Sequence, residues 1–593
     1  MELLKNHSEP SEMLLPWAIG LCGLLLALSC AYFRLLPKPL PGIPYNPEAR
    51  ANILGDLPNM IAEVSKSGDL MTWLLRQHQR HSSPLTQVFI DPLGGPALLL
   101  SDMRESHDIL LHRIKEFDCT SYMTAVFGGA FPNFHIHMQT GTEWKSHRRL
   151  LQGLMTPSFL KKVAAPAIYD SIHETAKLWT LKAQLAPEKA FSAASDIHHA
   201  ALDAVLSFSF GKSFPHKVTS LQTELLASLK EITSEDDKVI FPEAQLPTSI
   251  QALIDITASI TQIKSAAFPR LKWELISRLP RLARAIRQKN ALIRQELGKA
   301  VSTAERGGRD DAWVQSAVDH IMSREALAAR RENRAPAPFS PVLRDEVFGF
   351  LVAGHDTTST SLAWGVKLLA DHPSAQARLR AALRRAFVAA VDEARAPGCS
   401  EVVIARVPYL DAVIEEILRV GGTVPAIDRQ ATCDTVLLGH RVPKGTTVFM
   451  MVNGPGVFEP GWDVEEETRS ASAQAEKEKG RSVPEWEREN MARFMPERWL
   501  VPAGGAERDD ERRWWEDAAF DAKAGPSMPF GGGVRGCFGR RLAYVEMRMF
   551  LVAVLWRFEL LKCPEDVSGY EAYDGVVHTP KSCFVRLKLI PHT

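Results

Sequence analysis

Phe530-Gly-Gly-Gly-Val-Arg-Gly-Cys-Phe-Gly539 is a glycine-rich decapeptide near the C-terminal end of the 593-residue chain. Its five glycines allow the backbone to turn tightly and to approach a flat ligand closely. Cys537 comes just before a stretch with the pattern of a helix, from Arg540 to about Phe558. Backbone N–H groups at the start of a helix stabilise a thiolate. The decapeptide therefore predicts a loop that presents a cysteine thiolate to a bound group.

The same decapeptide matches the pattern Phe-x-x-Gly-x-Arg-x-Cys-x-Gly, and in this it resembles the haem-binding signature of the cytochrome P450 superfamily. The resemblance implies that Cys537 is the axial ligand of haem b, and that Phe530, Arg535 and Gly539 help to bind the cofactor. A thiolate ligand donates electron density to haem iron and favours O–O cleavage. The competing interpretation is a glycine-rich loop that holds a buried structural cysteine.

The overall composition excludes some classes of protein. The chain has 70 basic and 70 acidic side chains, so its formal net charge is zero and gives no electrostatic reason to expect nucleic-acid binding. Its eight cysteines are scattered without a Cys-x-x-Cys pair. That pattern predicts neither a disulfide framework nor a cysteine zinc site, and it fits a domain kept in a reducing compartment.

The N-terminal region contains an uncharged, largely apolar run, Leu14 to Phe33. About 20 apolar residues are enough for a helix to cross a bilayer, so this run predicts a single N-terminal transmembrane helix. The basic residues Arg34 and Lys38 follow it, which places the rest of the chain in the cytosol. The alternative is a cleaved signal peptide, for which Ala27-Leu-Ser29 offers a small-x-small site.

The chain divides into an anchor with a proline-rich hinge, residues 1–45, and one catalytic domain, residues 46–593. This layout resembles microsomal cytochromes P450, which implies a single-pass protein of the endoplasmic reticulum membrane. Within the domain, residues 462–490 are rich in Glu, Lys and Ser, and we predict that they form a disordered surface insertion. The Arg-rich stretch 269–294 is interpreted as a solvated helix face, with a membrane-facing helix as the alternative.

Trp144-Lys-Ser-His-Arg148 lies on a helix that is predicted to start near Thr142. Residues four apart share one helix face, so the indole and the guanidinium can reach the same anion. The resemblance implies that Trp144 and Arg148 bind a haem propionate, although a surface ion pair with a half-buried Trp is the alternative. The preceding stretch, 117–141, has no steady period and is predicted to be an irregular loop over a pocket.

Pro341 to Asp371 has no internal proline after its first residue and is predicted to be one long core helix. It contains Ala353-Gly-His-Asp-Thr-Thr358, which matches the family motif Ala-Gly-x-Asp-Thr. The resemblance implies that Asp356 and Thr357 deliver protons to oxygen bound at the haem. The alternative is that Thr357 bonds back to a carbonyl and bends the helix. His355 is interpreted as a packing or polar structural residue rather than a ligand.

Three further residues are predicted to hold the core together. Glu416 and Arg419 are three residues apart on one helix face, and Arg498 follows in Phe494-Met-Pro-Glu-Arg-Trp499. The resemblance implies a buried structural triad of these three side chains. Arg429 stands where the family often binds a propionate, and a surface arginine is the alternative.

Taken together, the motifs predict a mostly α protein with small β-sheets, the cytochrome P450 fold. The resemblance implies a monooxygenase that inserts one oxygen atom from O2 into a lipophilic small molecule. With no dinucleotide fingerprint after a strand, the electrons are expected from a separate NADPH–cytochrome reductase. The chain resembles fungal members that serve secondary metabolism of polyketides, terpenoids or alkaloids. The alternatives are a haem-thiolate isomerase or dehydratase, which needs no reductase, and a non-catalytic haem-binding protein.

Overall fold

The computed structural model describes residues 10–91, 94–229, 232, 237–264, 266–307, 313–505 and 513–591. Within them the protein is mostly helical with small sheets, as predicted. The helices are α1 Pro10–Leu35, α2 Leu57–Ser67, α3 Leu70–His81, α4 Met103–Leu111, α5 Ser121–Phe127, α6 Thr142–Leu151, α7 Pro157–Phe159, α8 Ala165–Leu185, α9 Ala194–Phe210, α10 Val218–Ala227, α11 Thr248–Lys264, α12 Pro269–Ile276, α13 Pro280–Gly307, α14 Ala317–Arg331, α15 Pro341–Asp371, α16 Pro373–Ala386, α17 Val388–Asp392, α18 Cys399–Ile404, α19 Pro408–Gly421, α20 Ala471–Glu478, α21 Arg540–Arg557 and α22 Glu565–Ser568.

The strands are short and are spread along the chain. They are β1 Leu85–Val88, β2 Ala97–Leu100, β3 Phe117–Asp118, β4 Ala190–Ser192, β5 Lys238–Val239, β6 Ala426–Ala431, β7 Thr435–Leu437, β8 His440–Val442, β9 Thr447–Met451, β10 Leu500–Val501, β11 Ala519–Phe520, β12 Phe558–Leu561, β13 Ala572–Asp574, β14 His578–Pro580 and β15 Phe584–Leu589. A five-stranded sheet has the order β1-β2-β9-β6-β3, and a four-stranded sheet has the order β12-β15-β4-β5.

The first sheet begins with the hairpin that the sequence predicts. β1 and β2 pair antiparallel, with Leu85 opposite Leu100. β2 then pairs parallel with β9, which joins the N-terminal hairpin to a strand that follows it by several hundred residues. Residues 92 and 93 of the connecting loop lie outside the described residues.

Helix α15 crosses the core and carries the predicted motif at its centre. Ser340 caps its N-terminus, where the hydroxyl accepts a hydrogen bond from the Leu343 N–H, and Pro341 occupies the first turn, where no N–H is needed. Most of its side chains are buried. At Gly354 a Cβ would lie 2.8 Å from the Val205 side chain, so α9 packs very close to α15. The small residue at this position allows the two helices to meet.

The segment 462–490, predicted to be disordered, is folded. It contains α20, and the Arg469 guanidinium forms two hydrogen bonds of 2.7 and 2.8 Å with the Asp102 carboxylate at the start of α4. The Ser470 hydroxyl donates to Asp108 of the same helix at 2.6 Å. The prediction was wrong because a segment poor in apolar residues can be ordered by charged partners on its neighbour.

The stretch 117–141 is also more regular than predicted. It contains β3 and α5, and α5 begins where the Thr120 hydroxyl accepts a hydrogen bond from the Met123 N–H at 3.1 Å. A threonine at this position caps a helix because it satisfies an N–H that has no partner within the helix. The region is therefore a short helix between turns rather than an irregular loop.

Helix α1 contains the whole of the predicted anchor, Leu14 to Phe33. Among the residues whose placement is described, no helix combines the length and the apolar character that crossing a bilayer requires. The structure therefore gives no support to the predicted transmembrane helix. What α1 does show is a row of apolar side chains that remain exposed, including Leu21, Leu24 and Leu28.

Candidate active site

The loop before α21 is shaped by its glycines. Gly531 and Gly533 have φ of +63° and +62°, a conformation that side-chain-bearing residues rarely adopt. At Gly533 a Cβ would lie only 2.2 Å from the Leu110 carbonyl oxygen. The Cys537 N–H donates a 2.8 Å hydrogen bond to the Phe530 carbonyl oxygen, which closes the loop. This closure places Cys537 just before the first turn of α21, as the sequence predicts.

The cysteine loop lies against the middle of α15. The rings of Phe538 and Phe350 are in contact, with centroids 6.4 Å apart, and Phe350 lies one turn before Ala353. Cys537 is exposed in the loop, and Ala353 is exposed in the middle of α15, where most of the surrounding residues are buried. A flat group bound between the loop and the helix could contact both exposed positions.

The protonation of the Cys537 thiol depends on opposing effects. Surrounding protein raises the pKa of the thiol, because the charged form loses contact with bulk water. Hydrogen bonds from the backbone N–H groups of Gly539 and Arg540, and the charge of Arg148, oppose that rise in pKa. The donors favour a thiolate, and a bound metal cation would complete its stabilisation.

Aromatic and cationic side chains meet beside this loop. The Arg535 guanidinium lies over the Trp144 ring, 5.0 Å from its centroid, and the Arg148 guanidinium lies over the Phe538 ring at 4.7 Å. Burial lowers the pKa of Arg148, and repulsion from Arg535 lowers it further. Within the described part of the chain, Arg535 Nη1 is buried and has no hydrogen-bond partner. Two close cations and an unpartnered N–H are the features of a site for an anion.

Arg429 is also near this cluster, and it is not a surface arginine. Its guanidinium donates a 2.7 Å hydrogen bond to the Asp428 carbonyl oxygen. Burial lowers the pKa of Arg429 and the Arg535 charge lowers it further, while the Asp428 carboxylate opposes the change. The structure thus brings together Arg429 and Arg535, which are far apart in the sequence. Both could contact the propionates of a haem that lies against the loop.

The motif on α15 shows the hydrogen bond of the structural alternative. The Thr357 hydroxyl donates to the Ala353 carbonyl oxygen at 2.9 Å. Burial raises the pKa of the neighbouring Asp356 carboxyl, and attraction to His198 of α9 opposes the rise. A carboxyl with a raised pKa holds a proton more readily than an exposed one. Sequence reasoning missed His198, because nothing in the sequence relates α9 to the middle of α15.

The predicted triad is assembled as expected and is fully buried. The Glu416 carboxylate accepts hydrogen bonds from Arg419 at 2.7 and 2.8 Å and from Arg498 at 3.0 Å. It also accepts from the Trp499 indole at 2.9 Å and from the Met495 N–H at 2.7 Å. The two bonds from Arg419 lie within α19, and the other three fix α19 to the segment after α20.

A second buried carboxylate was missed by sequence reasoning. Glu346 of α15 contacts the Nδ1 atoms of both His135 and His147 at 2.7 Å, and its carboxylate also accepts the His135 N–H at 3.0 Å. Burial would raise the pKa of Glu346, but the two histidine hydrogen bonds prevail and lower it. His147 precedes Arg148 on α6, so Glu346 fixes the position of the helix that carries Trp144 and Arg148. The only sequence signal was an acid within the apolar core helix.

Comparisons with known proteins agree with this architecture. The family model described as cytochrome P450 matches residues 84–456 and 485–585. The crystal structure of a cytochrome P450DA haem domain is similar in fold, with a TM-score of 0.62 at 18% identity, and covers 94% of this chain and 98% of its own. At that identity the likeness concerns the fold alone.

Fungal proteins are more similar in sequence. The cytochrome P450 monooxygenase TRI13 of Fusarium sporotrichioides is 38% identical over 589 residues, which are 97% of this chain and 99% of that protein. The cytochrome P450 monooxygenase xilC of Penicillium crustosum is 35% identical over 569 residues, which are 95% of each chain. The family chemistry rests on haem with a cysteine thiolate ligand, for which this chain has the loop, the cysteine and the cations. The chain therefore belongs to the cytochrome P450 family and is a haem-thiolate monooxygenase.

Proposed function

We propose that this protein inserts one oxygen atom from O2 into a lipophilic small molecule of fungal secondary metabolism, with electrons from a separate NADPH–cytochrome reductase. The observation that carries the proposal is the acid–alcohol pair Asp356 and Thr357, which lies one turn after the exposed Ala353 on α15. An isomerase that rearranges a peroxide has no need of protons delivered to oxygen. The similar monooxygenases of Fusarium and Penicillium support the fungal setting.

The haem b would be held by the loop and the cations around it. Cys537 would be its metal ligand, and Arg148, Arg535, Arg429 and the Trp144 indole would bind its propionates. Phe530 and Gly539 would shape the loop around the thiolate. When bound, the haem supplies the reductive activation of oxygen and the oxidation of the substrate, while the protein orients the groups and manages protons.

The chain's own part in the reaction is proton transfer. The raised pKa of Asp356 allows its carboxyl to carry a proton at a position surrounded by protein. The Thr357 hydroxyl is the next polar group on the helix, and a rotation of its side chain would release the Ala353 carbonyl oxygen and free the hydroxyl for exchange. The proton would pass from the Asp356 carboxyl through the Thr357 hydroxyl toward the exposed surface of α15 at Ala353.

Membrane attachment to the endoplasmic reticulum, with the catalytic domain in the cytosol, is part of the proposal. Its support is the exposed apolar surface on α1 and a second one around α12, where Phe268, Leu271 and Leu275 are 59, 58 and 60% exposed. The stretch 269–294 was interpreted as a solvated face, but three large apolar side chains in one short region are costly in water. Basic residues between them suit the headgroups of a bilayer.

A metabolite comparison tests the proposed reaction. Accurate-mass profiles would be recorded from the source organism with the wild-type protein, with Cys537→Ala and with Thr357→Ala. We expect both variants to accumulate a precursor that has one oxygen fewer, or two hydrogens more, than the missing product. Lys479→Ala, an exposed change at the end of α20, is the control and should leave the profile unchanged. If precursor and product share one formula, the isomerase interpretation replaces this proposal.

A further inference from the structure

Three metal-binding side chains converge beside the acid–alcohol pair. His198 of α9 and His355 and Asp356 of α15 each offer one ligand atom, and these atoms all lie within 4.8 Å of one another. The two imidazole rings are nearly perpendicular, at 80°, with centroids 5.0 Å apart. The close packing of α9 on α15 at Gly354 brings the groups together. The cluster is therefore built by two core helices and does not depend on a surface loop.

One hydrogen bond of the His355 ring determines which of its two nitrogens carries the proton. Its Nδ1 is 2.7 Å from the Leu351 carbonyl oxygen, and a carbonyl oxygen only accepts, so Nδ1 donates and carries the proton. In the neutral ring Nε2 then has a lone pair and no proton. Within the described residues Nε2 is buried and has no hydrogen-bond partner, and the residue is only 2% exposed. A buried lone pair of this kind needs an N–H, a water or a metal ion.

The Asp356 carboxyl is the third group of the cluster, and it follows His355 directly on α15. An ionised carboxyl surrounded by protein is costly unless a cation or several donors accompany it, and a bound cation would displace its proton. The three groups together offer two imidazole nitrogens and one carboxylate oxygen within 4.8 Å of one another.

We propose that His198, His355 and Asp356 form a binding site for a divalent transition-metal ion of the zinc class. Two imidazoles and one carboxylate are a ligand set that such ions prefer, with about 2.0–2.2 Å from metal to ligand and water in the open position. The three ligand atoms need only draw together by side-chain rotation, because their backbone positions are set by α9 and α15. The ion would accept the His355 lone pair and would bind the Asp356 carboxyl in place of its proton.

In a second cluster of possible metal ligands, the side chains already have hydrogen-bond partners. Asp69, Asp574 and His578 are equally close to one another. There, however, His578 Nδ1 already contacts Asp574 at 2.7 Å, and Asp574 also accepts the Met71 N–H at 2.7 Å. Asp69 caps α3. Its ligand atoms already have partners, so we expect this cluster to bind metal far more weakly than the site on α15.

Occupancy of the site has a consequence that rests on the proposed function. If Asp356 carries the proton to the active site, a metal ion bound to its carboxylate removes that acid from the reaction. The ion would therefore inhibit turnover without displacing the haem or the substrate. The binding itself is independent of turnover and can be measured without substrate or reductase.

The experiment measures Zn²⁺ binding to the purified full-length holoenzyme, produced without a histidine tag, by competition with a chromogenic zinc indicator. We expect His198→Gln, His355→Gln and Asp356→Asn each to weaken Zn²⁺ binding by at least about tenfold, since each removes one ligand. The controls are His199→Gln, next to the site on α9, and His578→Gln in the second cluster, and both should bind as the wild type does. Haem absorbance verifies that each variant is folded.

The proposal is overturned if the wild type binds Zn²⁺ no more tightly than His355→Gln, or if His578→Gln loses as much affinity as the site variants. A second measurement tests the consequence with the same reductase preparation, as the ratio of product formation with and without Zn²⁺. We expect a fall in this ratio for the wild type and for His199→Gln, and no fall for His198→Gln. If the wild type binds Zn²⁺ and its rate of product formation does not fall, inhibition is refuted and the binding site is still supported.

Discussion

The Arg535 guanidinium lies over the indole ring of Trp144, 5.0 Å from the ring centroid, although the two residues are separated by most of the chain. Arg535 belongs to the cysteine loop and Trp144 to α6. The contact orients the guanidinium so that Nη2 donates to the Ile136 carbonyl oxygen at 3.0 Å while Nη1 remains without a partner in the described part of the protein. The pair thus links the loop to the helix and leaves one N–H that could bind an anion.

Replacing Arg535 should weaken haem binding. Arg535→Ala removes a charge-assisted hydrogen bond to a propionate, which is worth about 1.5–3 kcal/mol and corresponds to roughly ten- to a hundredfold in haem affinity. The measurement is the haem content per protein after dialysis against apomyoglobin as acceptor. Arg149→Ala, an exposed arginine of α6, is the matched control. Equal haem retention by the two variants would contradict the role of Arg535.

Breaking the Glu416 triad should destabilise the whole protein. Glu416→Gln leaves Arg419 and Arg498 buried without their carboxylate, and we expect a loss of about 3–5 kcal/mol in the free energy of unfolding. The measurement is urea unfolding followed by tryptophan fluorescence and haem absorbance. Glu274→Gln breaks an exposed ion pair with Arg278, 3.2 Å long, and should cost less than about 1 kcal/mol. A triad variant no less stable than this control would contradict the structural role.

Changes at the acid–alcohol pair should uncouple electron use from product formation. With Asp356→Asn or Thr357→Ala, we expect product formation to fall by about a hundredfold or more, the usual value of a positioned proton donor. NADPH consumption should fall less, with the difference appearing as hydrogen peroxide. Thr358→Ser keeps the hydroxyl that donates to Gly354 at 3.0 Å, and should keep its coupling. Unchanged product per NADPH in Thr357→Ala would rule out proton delivery through this hydroxyl.

The Glu346 cluster predicts a stability difference that depends on pH. The two histidine hydrogen bonds lower the pKa of Glu346 below its ordinary value of 4.5. The folded state therefore binds this proton more weakly than the unfolded state, so the carboxylate contributes stability above pH 4.5 that is lost as pH falls through the folded pKa. Glu346→Gln should be less stable than the wild type at pH 7, and the gap should narrow as pH falls below 4.5.

Urea unfolding midpoints at a series of pH values measure this gap. Glu274→Gln, in an exposed ion pair, serves as the reference and should differ little from the wild type at any pH. A gap between Glu346→Gln and the wild type that stays constant from pH 7 to below pH 4.5 would show that the carboxylate charge does not contribute.

Exposed basic residues near the cysteine loop predict where the reductase docks. Lys145 and Arg149 of α6 and Arg540 and Arg541 of α21 are exposed. Reversing the charge with Lys145→Glu and Arg149→Glu should raise the reductase concentration needed for half-maximal turnover, and raising the salt should reduce the difference. Lys479→Glu, at the end of α20, is the control. If reductase-supported turnover is the same in all variants, docking does not use this face.

The local parts of the site could be predicted because short-range geometry determines them. Trp144 and Arg148 are four residues apart on one helix, so they share a face independently of the tertiary structure. The bounds of α15 follow from Pro341 and from the absence of another proline up to Asp371. The cysteine loop could be predicted as well, because its glycines and the helix that follows it are neighbours in the sequence. For these features the sequence alone was sufficient.

Tertiary structure alone decided the partnerships between distant elements. Glu346 between two histidines, His198 beside Asp356, and the ordering of residues 462–490 on α4 all depend on how helices pack. One sequence shows which side chains are polar but not which helix faces meet, and the approach of α9 to α15 depends on a single glycine. The prediction that residues 462–490 are disordered was therefore wrong. It rested on their low apolar content, which does not show which charged partners a neighbouring helix provides.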